Sequence, residues 1–127
     1  DICKGRMTGN LICTKVLRIF IDNDIEEPER IIKNFCREAL VWGNLNHLNI
    51  LPFLGVNKQL FALSFSLISS WMQYGNIMSF FTGHPEHDRL IAITEVARGM
   101  SYLHSLKLCI VHADIRGVIF PYNAKTF

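Results

Sequence analysis

Cys109-Ile110-Val111-His112-Ala113-Asp114-Ile115-Arg116-Gly117 is the stretch on which the reading of this chain turns. A short apolar run delivers a histidine and a carboxylate, then a basic residue, to a turn at a glycine. Taken alone, it fits a strand whose end is closed by His112 and Asp114, because aspartate commonly bonds its own backbone in turns. Whether it does more depends on what the chain sets in order before it.

Composition narrows the field first. The chain has 127 residues, half of them apolar, which is enough for one core of ordinary size. Its 13 basic and 11 acidic side chains are scattered, for a net charge of +2, and form neither a nucleic-acid footprint nor a polybasic membrane surface. The longest nearly apolar run, residues 60–72, is broken by four serines and is too short to cross a bilayer. The chain opens on Asp1 without a basic-then-apolar leader, so a soluble, intracellular protein is expected. Cys3, Cys13, Cys36 and Cys109 lie far apart with no Cys-x-x-Cys pair, which argues against structural zinc or a disulfide framework and for buried thiols in a reducing compartment. His84 and His87 flank Pro85, which puts them in a loop as solvated side chains without further ligands nearby, and no metal site is expected there.

In chain order, residues 1–9 read as the end of a strand with a turn at Thr8-Gly9-Asn10, and residues 11–20 as its hairpin partner. Alternation puts Lys15 on one face with Cys13, Leu17 and Ile19, an ammonium among apolar neighbours. After an acidic link, Pro28 occupies a first helical position with acidic residues on either side. Ile31, Phe35, Ala39 and Trp42 then follow three-and-four spacing, and Glu38 lies on the same stripe. Two opposite charges, Lys15 and Glu38, thus face apolar surroundings where either alone would be costly, and they should pair. A simple buried ion pair satisfies that requirement as well as a functional one does.

A second hairpin follows, with residues 51–56 and 61–69 as its arms and Asn57-Lys58 at its turn. Residues 77–81 read as a short helix and 82–87 as a loop. Asp88 is placed to cap a long helix, residues 89–105, with Ile93, Val96, Ala97, Met100, Leu103 and Leu106 on one face. Leu90 and Ile91 widen that face, so the helix should be buried on several sides.

Assembled in this order, the segments resemble the protein kinase superfamily. The resemblance implies an α+β fold, an antiparallel sheet with one helix followed by the first helices of a helical lobe. In that family a strand lysine bonds the α- and β-phosphates of ATP and is held by a glutamate of the next helix, roles that fall to Lys15 and Glu38. Residues 43–50 are similar to the segment Leu-x-His-Pro-Asn-Ile, with Leu48 replacing proline. Ser70-Trp71-Met72-Gln73-Tyr74-Gly75-Asn76-Ile77 resembles the connection between lobes, where exposed backbone takes the adenine; Ser69 becomes the gatekeeper, and Ser70 and Met72 border the base, with Met72 offering its backbone. A strand that ends in a polar turn accounts for this segment taken alone. Residues 96–104 resemble the helix before the catalytic loop, and residues 109–117 that loop itself, His-Arg-Asp-Leu-x-x-x-Asn. The resemblance makes Asp114 the base that accepts the substrate hydroxyl proton. It puts Arg116 where a lysine contacts the γ-phosphate, and Ala113 in place of the usual arginine.

The resemblance spans residues 1–118, with 1–69 as part of the first lobe, 70–75 as the hinge and 76–118 as the start of the second. Residues 119–127 match no kinase strand and read as a foreign tail, as from an unspliced intron or shifted frame. The family uses ATP and Mg²⁺ to phosphorylate protein serine, threonine or tyrosine hydroxyls. Three departures bear on that activity here. The glycine-rich phosphate loop is missing, with Cys3 at a usually aromatic position just after it. Ile119 stands where the metal-binding asparagine is expected. No Asp-Phe-Gly follows. The expected product is a kinase fragment, truncated at both ends and slow or inert, without nucleic-acid or membrane partners. Asp-Ile-Arg-Gly after a Trp-Met linker leans toward the tyrosine-kinase-like branch. Two other readings stay open: a non-catalytic, pseudokinase-type interaction module, and a chain that does not fold stably because the helix from Arg89 exposes apolar surface.

Overall fold

The computed structural model describes residues 2–18, 28–58 and 64–107. Ile19, His112, Ala113, Asp114, Arg116, Ile119 and the tail 119–127 lie outside the described residues. The elements are β1 (Ile2–Met7), β2 (Asn10–Arg18), α1 (Pro28–Gly43), β3 (Phe53–Asn57), β4 (Ser64–Ser70), α2 (Ile77–Gly83) and α3 (Arg89–Ser105). They fall into two compact units, residues 1–46 with 52–71, and residues 47–51 with 72 onward.

In the first unit the strands form one antiparallel sheet in the order β1-β2-β4-β3. The first hairpin closes through Thr8 and Gly9, at φ +47° and +86°, the doubly positive turn whose twist suits adjoining strands. That two-residue turn sets the register, which places Ile2 opposite Lys15 and Lys4 opposite Cys13. Across the other edge of β2, Lys15 faces Leu67, Leu17 faces Phe65 and Cys13 faces Ser69. Lys15, Leu67, Phe65 and Ser69 therefore share a face, while Ile12, Thr14 and Val16 are buried on the opposite one.

Helix α1 begins at Pro28, where a missing N–H costs the helix nothing, with Glu29 in its first turn. Its inward stripe crosses the Lys15 face of the sheet: Phe35 is buried and meets Phe65 with ring centroids 5.4 Å apart, and Trp42 meets Phe53 at 5.1 Å. β3 joins β4 through a bulge between Phe53 and Gly55, and Gly55 takes φ +146°, a conformation few side chains tolerate.

The second unit contains both short and long helices. Asn76 caps α2, its Oδ1 accepting the Ser79 N–H at 2.9 Å. Phe80 and Ala92 form its buried centre, with Ile77 and Phe81 against them. α2 runs to Gly83, past the expected end, so that the His84 N–H caps the Phe80 carbonyl at 2.9 Å. The His84 ring then stacks on Phe80 at 4.5 Å and His87 meets the same ring edge-on at 5.0 Å. These histidines are half-buried aromatic partners and not the solvated loop side chains expected from Pro85.

Asp88 caps α3 as expected, its Oδ1 accepting the Leu90 N–H at 2.8 Å. The buried face matches the expected one only in part: Leu103 is buried and Val96, Met100 and Leu106 are half-buried, but Ile93 and Ala97 are exposed. Ala92, Glu95, Gly99 and Leu103 point inward, while Leu90 and Ile93 are 68% and 61% exposed. Gly99 supplies the reason: a Cβ there would lie 3.0 Å from the Asn49 carbonyl oxygen, so its absence admits the backbone of residues 49–50. That segment is held by His47, which stacks on Tyr102 at 4.8 Å and accepts the Asn49 N–H on Nδ1 at 3.1 Å. The thiols also depart from expectation. Cys3 and Cys36 are exposed, Cys13 is half-buried, and all three are free; Cys109 lies outside the described residues.

Alanine at position 99 would gain about 1 kcal/mol of helix propensity but must displace a backbone carbonyl, and overpacking of this kind costs about 1–3 kcal/mol. Gly99→Ala is therefore expected to destabilise the chain by about 1 kcal/mol in urea unfolding. A variant more stable than the parent would contradict the close approach of residues 49–50.

Candidate functional site

Lys15 Nζ donates to Glu38 Oε1 at 3.0 Å, so the two charges meet across twenty-three positions of chain. Their burial differs from expectation: the side chains are 58% and 49% exposed. The reason lies in α1, which covers the sheet with Phe35 and Trp42 and leaves Glu38 at the margin of its inward stripe. An exposed pair of this kind contributes only about 0.2–1 kcal/mol. It is therefore a weak contribution to the fold, and the half-exposed ammonium keeps donors for another acceptor.

Beside the pair lies a cavity of about 230 Å³ lined by Val16, Leu17, Ile31, Phe35 and Leu67, with Lys15, Asn34 and Glu38 as its polar members. It sits between α1 and the strands β2 and β4. Of the residues singled out by sequence, Lys15 and Glu38 line it, and Ser69, Ser70 and Met72 do not.

Ser69 is 4% exposed and lies in register between Cys13 and Phe53, on the sheet face that carries Lys15. Ser70, half-buried, ends β4, and its N–H donates to the Pro52 carbonyl at 3.3 Å. The next residue, Trp71, donates its N–H to the Leu11 carbonyl at 3.2 Å. In the second unit, Met72 opens a turn in which its carbonyl accepts the Gly75 N–H at 3.1 Å, with Gly75 at φ +69°. Of the residues singled out by sequence, Lys15 and Glu38 are thus in contact and Ser69 shares their face. Ser70 ends the strand and Met72 begins the turn. Asp114 and Arg116 lie outside the described residues. Among the described residues no three His, Cys, Asp or Glu side chains converge as a metal site.

Two more residues belong to this neighbourhood. Ile2, 74% exposed, stands opposite Lys15, a placement readable from the two-residue turn once its register is counted back. Asn34 lines the cavity one helical turn before Glu38, an i, i+4 relation also present in the sequence.

Residues 2–118 match the family model for protein tyrosine and serine/threonine kinases. Among curated relatives, the chain is 31% identical over 120 residues to the probable serine/threonine-protein kinase roco7 of Dictyostelium discoideum, covering 91% of this chain and 4% of that protein. It is 27% identical over 113 residues to mitogen-activated protein kinase kinase kinase 1 of Mus musculus, covering 87% and 7%. It is 31% identical over 120 residues to the serine/threonine-protein kinase TNNI3K of Pongo abelii, covering 90% and 18%. The chain spans less than a fifth of the length of these relatives. Its four-stranded sheet, crossed by α1 and followed by α2 and α3, is a partial kinase fold. The match along nearly the whole chain and this architecture agree: the chain belongs to the protein tyrosine and serine/threonine kinase family.

Proposed function

We propose that this chain is the nucleotide-binding part of a protein kinase, taking ATP with Lys15 on its phosphates, Glu38 orienting Lys15, and Ser69, Ser70 and Met72 bordering the adenine. The observation that carries this reading is the contact of Lys15 Nζ with Glu38 Oε1 at 3.0 Å, with the buried Ser69 on the same sheet face as Lys15. A lysine free to rotate would lose much side-chain entropy on gripping a phosphate; one already held by a carboxylate loses less. Glu38 takes one of the three ammonium donors and leaves the others available. Bound ATP supplies the phosphoryl group.

In the complete enzyme this reading gives Asp114 the substrate hydroxyl proton, and Arg116 the neighbourhood of the γ-phosphate. The residues at hand do not fit Mg²⁺: Ile119 offers no oxygen where the family has an asparagine. Transfer by the chain itself is proposed to be very slow or absent. The three free thiols fit an intracellular, reducing compartment. A protein serves as substrate or partner.

Ile119 and the exposed Leu90 and Ile93 favour a second reading, a non-catalytic kinase-like interaction module. The two readings separate on nucleotide.

In a calorimetric titration the chain is expected to bind ATP. Lys15→Met, which removes a charged hydrogen bond of about 1.5–3 kcal/mol, should weaken binding by about 10- to 100-fold. An unmodified chain that binds no ATP would rule out the first reading and leave the second. In a radiolabelled phosphoryl-transfer assay the purified chain is expected to show no activity above that of Asp114→Asn. Robust transfer abolished by that substitution would contradict the proposed inactivity.

A further inference from the structure

β1 carries a second cation on the sheet face that bears Lys15. Lys4 stands opposite Cys13 in register, and its Nζ lies 4.6 Å from the centroid of the Trp71 ring. Trp71 is the first residue beyond β4. Its N–H is tied to Leu11 in β2 at 3.2 Å, and the preceding Ser70 N–H to Pro52, just before β3, at 3.3 Å. The chain leaving β4 is therefore fastened by backbone on two sides and by its side chain to a third strand. In the strand order, β1 is two places from β4, so Lys4 reaches past β2 to make this contact.

We propose that Lys4 is a positioning residue for the adenine-binding segment: by holding the Trp71 indole it fixes the backbone of Ser70 and Trp71 before any base arrives. The inference rests on the nucleotide reading given above. A site that recognises a base through main-chain groups gains affinity when that main chain is already in place, because ordering it is then not charged against binding. Lys4 touches the indole and not the ligand, so its effect must be independent of the phosphates. Lys15, in contrast, acts on the phosphates alone. The two lysines share one face of the sheet and are assigned to opposite ends of the same ligand.

The test is a set of calorimetric titrations with adenosine and with ATP on the chain and its Lys4→Met, Lys4→Arg and Lys15→Met variants. Trp71 emission, recorded in a Trp42→Phe background, reports the contact itself. Lys4→Met is expected to weaken adenosine and ATP by the same factor, about two- to fivefold for a surface cation over an indole. It should also shift the Trp71 emission. Lys4→Arg, which keeps a cation over the ring, should restore both. Lys15→Met should weaken ATP and leave adenosine unchanged. Adenosine binding unaffected by Lys4→Met would overturn the assignment while the nucleotide reading stood, as would a loss confined to ATP. If the unmodified chain binds neither ligand, the nucleotide reading fails and the role of Lys4 falls with it.

Discussion

The contact between Lys15 and Glu38 is energetically slight and geometrically demanding, and the rest of the first unit has to be right for it to form. The two-residue turn at Thr8-Gly9 sets the hairpin register, which turns Lys15 toward the face shared with Leu67 and Phe65. Pro28 starts α1, and spacings of three and four place Glu38 on the stripe of Phe35 and Trp42. The packing of those rings on Phe65 and Phe53 lays the helix across that face. Slip the register by one residue and Lys15 points to the opposite face; move the carboxylate two positions along α1 and it leaves the stripe for solvent. Hydrophobic packing supplies the stability, and the ion pair records that it was done in the right frame.

Much of this was legible because it depends on periodicity and on local signals. Pro28, Asp88 and the alternation of β2 each act over a few residues and appear in the structure where the sequence puts them, and the turn expected at Thr8-Gly9-Asn10 closes at Thr8 and Gly9, with Asn10 already in β2. The pairing of Lys15 with Glu38 was legible too, since two stripes that must meet carry opposite charges. Its exposure was not. Alternation tells which face a side chain takes, and says nothing of how far a neighbouring helix extends over that face.

The face of α3 departs in part from its apolar periodicity for a related reason. Apolar periodicity favours Ile93 and Ala97 along with Leu103, yet the helix is buried along Ala92, Glu95, Gly99 and Leu103, and at Gly99 the missing Cβ lets the Asn49 backbone approach. Close approach rewards the missing side chain, and a scale that counts apolar bulk cannot register it. The same limit applies to His84 and His87, whose place against Phe80 follows from two extra residues of α2. Asp114 and Arg116, to which the proposal gives the chemistry of transfer, lie outside the described residues. The candidate site accordingly consists of Lys15, Glu38 and Ser69 of the first unit, together with the segment that follows β4.

An ammonium held by one carboxylate, with donors left for a phosphate, is the centre of the proposed site. The most direct measurement is a crystal structure of the chain with a non-hydrolysable ATP analogue. The account predicts a phosphate oxygen at hydrogen-bonding distance, about 2.7–3.2 Å, from Lys15 Nζ, with Glu38 still on the same ammonium. A nucleotide bound away from Lys15, or a structure in which Lys15 and Glu38 lie apart in its presence, would contradict it.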